Sequence, residues 1–179
     1  MYGRNAPATD PDGHVSTRPL CGKEANGGMN YRHAYHAGGF TDVAKHTVVA
    51  LVIAALKKKD APLFVLDTHA GIGRYDLAAA EAVKTGEAAN GVLRLAGKVL
   101  PFELGAYWGA VKTFNKGQPG GALRWYPGSP RLVKLLLRPQ DRMVFAELHP
   151  DDAKTLADEF GGDPQVRVQA TDGYVALRA

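Results

Sequence analysis

Asp67-Thr68-His69-Ala70-Gly71-Ile72-Gly73-Arg74-Tyr75 follows directly on the apolar run Pro62-Leu63-Phe64-Val65-Leu66. The run reads as a short buried strand that ends in an acid and spills into a Gly-x-Gly turn. Such a turn is a nucleotide-type cofactor cradle, because glycines let backbone N–H groups approach a ligand that a Cβ would hold away. The acid stands where it can meet an ammonium or hydroxyl group on that ligand.

Working outward, Thr41 is a candidate N-cap, with Asp42 in the first turn of a helix. Val43, Val48, Val49, Val52, Ile53 and Leu56 give that helix a broad apolar face. Lys57-Lys58-Lys59 closes it, where the helix dipole favours cations over an RNA-binding role. Downstream of the glycine turn, residues 76–124 read as short helices hinged at Gly86, Gly91 and Gly97, with Phe102–Asn115 the longest. This block is expected to be an insertion. Pro127-Gly128-Ser129-Pro130 opens a helix through Leu137, with Ser129 as N-cap and Pro130 first in the helix. Met143–Ala146 is a second strand, Asp151–Phe160 a helix and Val166–Val168 a third strand. Strands separated by helices imply parallel βαβ units in an open α/β sheet. Residues 1–28 lack any helical or strand period, and are expected to be a disordered leader or an upstream extension before Met29. The expected division is therefore 1–28, 29–75, the insertion 76–124, and 125–179.

The chain has 22 Lys and Arg against 18 Asp and Glu, a net charge of +4 that leans only weakly toward an anionic partner. Its longest apolar stretch, Val48 to Leu56, is far short of the roughly 20 residues a membrane helix needs. The single Cys21 forms no internal disulfide, which suits a cytoplasmic protein.

Ligands of open parallel sheets collect at the carboxyl ends of the strands. Here the three ends carry Asp67 with its turn, Glu147-Leu148-His149-Pro150, and Asp172-Gly173. A carboxylate at the tip of the second strand suits the two hydroxyls of a ribose, and Asp172 suits an adenine amino group. A NAD-dependent oxidoreductase is the first rival. Its fingerprint wants a third glycine, and Asp76 stands there instead; its ribose acid lies about 20 residues on, and Glu147 lies far beyond. No Gly-Lys-Ser/Thr follows the turn, which excludes a P-loop. A second cluster, Tyr31-Arg32-His33-Ala34-Tyr35-His36 with Asp42, Lys45 and His46, interleaves aromatic and basic residues as a base-stacking, phosphate-contacting surface does. Zinc on His33, His36, His46 and His69 is the alternative, without a cysteine pair or a His-Glu-x-x-His helix to support it. Trp108 and Trp125 read as packing anchors, and Arg124 and Arg131 as solvated arginines.

These blocks together resemble the bacterial RlmJ-type methyltransferases, which modify the N6 amino group of an adenine in 23S ribosomal RNA. The resemblance runs from Met29 to about Tyr174, as the N-terminal portion of that family. It rests on Tyr-Arg-His at 31–33, His-Ala-Gly at 36–38, Asp-Val-x-Lys-His-Thr at 42–47 and the turn at 67–75. Thr85-Gly86-Glu87, Tyr126-Pro127-Gly128-Ser129-Pro130, Glu147-Leu148-His149-Pro150 and Asp172-Gly173 complete it. It implies a Rossmann-like class I methyltransferase fold, an inserted helical subdomain facing RNA, and S-adenosylmethionine as cofactor. His46, His69, Ser129, Glu147, Asp172 and Gly173 would contact that cofactor. Tyr31 would meet the RNA, with His33 and Lys45 positioning the adenine. The implied partner is 23S ribosomal RNA, free before subunit assembly, for a monomeric cytoplasmic protein without a metal.

One departure matters. The family's Asp-Pro-Pro-Tyr, whose carboxylate accepts from the adenine amino group while the ring stacks on the flipped base, does not occur in these 179 residues. The expectation is a truncated, catalytically inactive and marginally stable chain of about three strands. With the family's strand order 3-2-1-4-5, Leu63–Leu66 becomes an exposed apolar edge. The alternative is a non-catalytic cofactor- or RNA-binding half of a split protein.

Overall fold

A computed structural model describes residues 33–178. The expected leader and Tyr31 lie outside the described residues. In chain order, a 3-10 turn at His33–Tyr35 precedes α1 (Phe40–Leu56), β1 (Phe64–Asp67) and β2 (Arg74–Asp76). Then come α2 (Ala80–Thr85), α3 (Glu87–Asn90), α4 (Gly105–Phe114) and β3 (Trp125–Pro127). The chain continues through α5 (Ser129–Leu136), β4 (Arg142–Glu147), α6 (Pro150–Glu159), β5 (Val166–Ala170) and α7 (Gly173–Ala176).

Three strands form a parallel sheet in the order β1-β4-β5, with β1 at one edge. Phe64 pairs with Arg142 and Asp67 with Phe145; on the other side Met143 pairs with Val166 and Glu147 with Ala170. The fold is thus the α/β, Rossmann-like arrangement expected, with inserted helices and three parallel strands. The edge position of β1 leaves Phe64 67% exposed. At the opening of the sheet, Asp141 accepts from the Leu63 and Arg138 backbone N–H groups, both at 2.8 Å. Burial alone would raise its pKa, but the Arg138 side chain and those two N–H groups bring it down to about 2. The carboxylate thereby aligns the starts of β1 and β4.

The sequence did not reveal the short helix α7 or an antiparallel ribbon of β2 and β3, in which Tyr75 faces Tyr126 and Asp76 faces Trp125. Each strand has only three residues, too few for an alternating pattern to show, and residues 77–124 separate them. The ribbon clamps the two ends of the insertion together. Asn115, just past α4, locks it: its side-chain oxygen accepts from the Arg124 and Trp125 N–H groups, and its amide donates to the Val111 and Trp125 carbonyls.

Two helix starts differ from expectation. Gly39, not Thr41, caps α1, and Gly128, not Ser129, caps α5. Both glycines are extended, with ψ of 173° and 171°, so each helix begins one or two residues earlier than the side-chain capping rule implies. Ser129 and Pro130 are therefore the first two helical residues. The apolar face expected on α1 is also wrong in part. Val48, Val52 and Leu56 are at least half exposed, while Asp42, His46, Ala50 and Ile53 are buried. The inward stripe carries two polar residues because both find partners inside.

Two clusters make the interior. Ile53, Val133, Met143, Phe145, Leu156 and Phe160 pack on the sheet, with the Phe145 and Phe160 rings 5.3 Å apart. Ala50, Tyr75, Val92, Tyr107, Val111, Tyr126 and Leu132 join α1, the ribbon and the insertion. The inserted helices thus share a core with α1.

Candidate functional site

The turn after β1 is the point on which the site is hung. Gly71 and Gly73 take φ of 65° and 78°, a left-handed backbone that other residues resist. A Cβ on Gly71 would also stand 2.5 Å from the Tyr75 hydroxyl. Asp67 folds back on its own turn, accepting from the His69 N–H at 3.1 Å. The turn then bends across the tip of β4: the Ala70 N–H donates to the Ala146 carbonyl, and the Gly71 N–H to Glu147 Oε2 at 2.8 Å. Glu147 Oε1 accepts from the His149 N–H at 2.9 Å. Each Glu147 oxygen therefore has one backbone donor and a remaining lone pair for a ligand hydroxyl.

The tip of β5 reaches the same turn by passing over β4. A Cβ on Gly173 would lie 2.0 Å from the Thr68 carbonyl oxygen, so only glycine allows this approach. Asp172 caps α7 with Oδ1, accepting from the Tyr174 and Val175 N–H groups. The His69 and Tyr174 rings meet edge to face at 5.8 Å. On the opposite side the Gly128 N–H donates to the Gly73 carbonyl at 2.9 Å, which puts Ser129 beside the turn. His69, Ser129, Glu147, Asp172 and Gly173 all border residues 67–75, although the strand tips are staggered.

The α1 cluster is organised by Asp42. Its Oδ2 takes His33 Nε2 at 2.9 Å and the Gly38 N–H at 3.0 Å, and its Oδ1 takes Lys45 at 2.9 Å. Burial would raise its pKa, but the hydrogen bonds and charges of His33 and Lys45 overcome this and hold it well below the usual carboxylate range. His33 also lies edge-on to Tyr75 at 5.1 Å, so the turn and the helix entry meet there. His46 is 1% exposed, and its Nδ1 bonds the Tyr126 hydroxyl at 2.9 Å. Burial lowers its pKa to about 4, against a smaller opposing pull from Asp42. The buried His46 Nε2 has no hydrogen-bond partner among the described residues.

Other residues fall away from the site. The four histidines weighed for zinc go to different partners: His33 to Asp42, His36 to Glu87, His46 to Tyr126 and His69 to Thr68. Trp125 is half-buried and covered by Arg74 and Arg124, whose guanidinium carbons lie 4.8 and 5.0 Å from its ring centre, whereas Trp108 packs against the interior cluster. Arg131 is not the solvated arginine expected. It pairs with Glu159 and lies 4.4 Å from the Phe160 ring centre. A cleft lined by Arg131, Lys134, Glu159 and residues 160–165 sits at the opening of β5, away from the strand tips. Its cations are already paired with Glu159 and Asp163.

From the sequence, Asp42 is placed in the first helical turn and in the aromatic-basic cluster but not as its organiser, and Tyr75 and Tyr126 fall within quoted blocks without a role of their own. The 42/45/46 spacing, which puts Asp, Lys and His on one helix face, was the available signal for the first. No sequence signal marks the tyrosines, whose partners come from distant elements.

Residues 60–179 match the family described as "RsmJ: Ribosomal RNA large subunit methyltransferase D, RlmJ". This corrects the expected span of 29–174 as the family's N-terminal portion. The matched segment starts just before β1, holds the sheet, ribbon and insertion, and runs to the last residue. Two curated relatives are both called "Ribosomal RNA large subunit methyltransferase J". The one from Escherichia coli (strain K12) is 49% identical over 152 residues, and the one from Haemophilus influenzae 41% identical over 152 residues. Each alignment covers 84% of this chain and 53% of the relative, so the chain spans about half their length. The crystal structure of protein LPL1258 from Legionella pneumophila superposes with a TM-score of 0.70 at 38% identity, over 79% of this chain and 51% of that one.

Proposed function

The chain belongs to the RlmJ family of ribosomal RNA large subunit methyltransferases, and from that premise we propose that its strand tips hold S-adenosylmethionine for methylation of an adenine N6 amino group in 23S ribosomal RNA. The observation that carries this reading is the convergence of Glu147, Ser129 and Gly173 on the 67–75 turn. The residues fit the cofactor. Glu147 keeps lone pairs for ribose hydroxyls, Gly71 and Gly173 keep the backbone close, and the buried Nε2 of His46 lacks a partner among the described residues, one that a cofactor carboxylate would supply.

When bound, the cofactor supplies a methyl group on an electrophilic sulfonium. His46, His69, Ser129, Glu147, Asp172 and Gly173 hold and orient the cofactor. His33 and Lys45, fixed by Asp42 beside Tyr75, steer the adenine, and Tyr31 meets the RNA. RNA free of assembled subunits, in the cytoplasm, is the substrate form this reading favours. The carboxylate that accepts from the adenine amino group is not among these 179 residues, which hold no Asp-Pro-Pro-Tyr.

The experiment has two parts. Calorimetry on the folded 179-residue polypeptide should detect S-adenosylmethionine binding, and Glu147→Ala should weaken it about tenfold; no heat above background would overturn the reading. Incubation with unmodified ribosomal RNA and labelled cofactor should give no methyl transfer. The edge position of β1 favours the second, half-site reading, in which a polypeptide carrying the Asp-Pro-Pro-Tyr strand pairs there. Adding it should then restore transfer.

A further inference from the structure

A buried chain of hydrogen bonds runs from the insertion to α1. The Tyr107 hydroxyl lies 3.3 Å from that of Tyr126, which lies 2.9 Å from His46 Nδ1. All three side chains are at most 1% exposed, and the His46 and Tyr126 rings stack with centres 5.7 Å apart. Water does not reach these atoms, so each polar hydrogen must be used inside the protein or left unsatisfied at a cost.

The chain can be wired in two directions. If His46 Nδ1 carries the proton, it donates to Tyr126, which donates to Tyr107. The Tyr107 proton then has no acceptor among the described residues, and His46 Nε2 is a bare lone pair; two buried groups are unsatisfied. If instead Tyr107 donates to Tyr126 and Tyr126 donates to Nδ1, both hydroxyl protons are used. One group is left over, an Nε2–H. The second wiring has fewer orphans and is the more stable. It needs both tyrosines as neutral phenols, and burial raises the pKa of each, Tyr107 to about 12.

We propose that Tyr126, backed by Tyr107, is a positioning residue that fixes His46 as the Nε2–H tautomer and so presents one oriented N–H to an acceptor group on the bound cofactor. The part played by the cofactor rests on the preceding reading of His46; the tautomer assignment does not. The insertion acquires a role in the site through this wiring, because Tyr107 belongs to α4 while His46 belongs to α1.

Long-range proton–nitrogen spectra of the histidine-labelled 179-residue protein test this directly. The wild type should show His46 protonated at Nε2, with Nδ1 shifted as an acceptor. Tyr126→Phe should remove that shift, mix the two tautomers and weaken S-adenosylhomocysteine binding about tenfold. Tyr107→Phe should move the Nδ1 signal the same way by less, with a two- to threefold loss of affinity. It serves as the test if Tyr126→Phe does not fold. An Nδ1–H tautomer in the wild type, or an unchanged His46 signal in the folded variants, would overturn the proposal. A changed tautomer with unchanged affinity upholds the assignment and removes His46 from the cofactor contacts.

Discussion

The two interiors of this molecule differ in where their polar groups sit, at the margin of one and through the middle of the other. The cluster on the sheet is apolar at its centre, with Ile53, Val133, Met143, Phe145, Leu156 and Phe160, and its polar neighbours Asp141 and Arg131 stand at its margin. The one beneath the insertion is threaded with buried hydroxyl, imidazole, amide and carboxylate groups from Tyr75, Tyr107, Tyr126, His46, Asn115 and Asp42. Area burial and close packing explain the first. The second depends on pairing, since an unpaired buried polar group costs roughly 1–3 kcal/mol. The sheet cluster therefore supports the strands, while the polar cluster fixes orientations next to the candidate site.

The sharpest way to test the sheet cluster is Phe145→Ala, which removes a fully buried ring packed on Phe160. The expected loss is about 4 kcal/mol, read from urea unfolding of the folded protein, from lost burial plus a residual cavity. A loss below about 1 kcal/mol would show that the sheet collapses around the gap.

The polar cluster should respond to pH through His46. His46 is buried neutral with its pKa lowered to about 4, against 6.5 when unfolded. Between these values the unfolded chain binds the extra proton, so stability rises with pH through this window and is complete above about 6.5. The whole effect is roughly 3 kcal/mol, gained between pH 4 and 6.5. In His46→Asn the slope of stability against pH over that window should flatten; an unchanged slope would assign it to other groups.

Asn115→Ala should cost about 2 kcal/mol, since it strands the Arg124 and Trp125 N–H groups. The loss should appear first as faster amide exchange across the β2–β3 ribbon, with β4 unaffected. Uniform exchange would mean that the two interiors unfold together.

This contrast also explains what could be read from the sequence. Apolar runs located β1, β4 and β5, and turn chemistry located the glycine cradle and the three strand ends, because burial and backbone conformation leave direct marks on composition. The resemblance, through ordered short blocks, named the family. Asp42 and His46 were expected at the surface or at a ligand, because a polar residue announces nothing about a partner that arrives from Gly38 or Tyr126. The ribbon was missed for the same reason: three-residue strands are fixed by the Asn115 side chain and by each other, not by periodicity. The span of the family match, 60–179, lay with the sheet and insertion rather than with the blocks around residues 31–47.

The ribbon has a bearing on how such a chain can change over time. Because Asp76 and Trp125 sit opposite one another, everything between them departs from and returns to a single point. Length can be gained or lost at the far side, around the exposed Val99 and Phe102, without moving either end. Residues nearer the ribbon have no such freedom, since Tyr107 and Asn115 are wired into it. The segment has an outer rim exposed at Val99 and Phe102 and a base held to the ribbon by Tyr107 and Asn115.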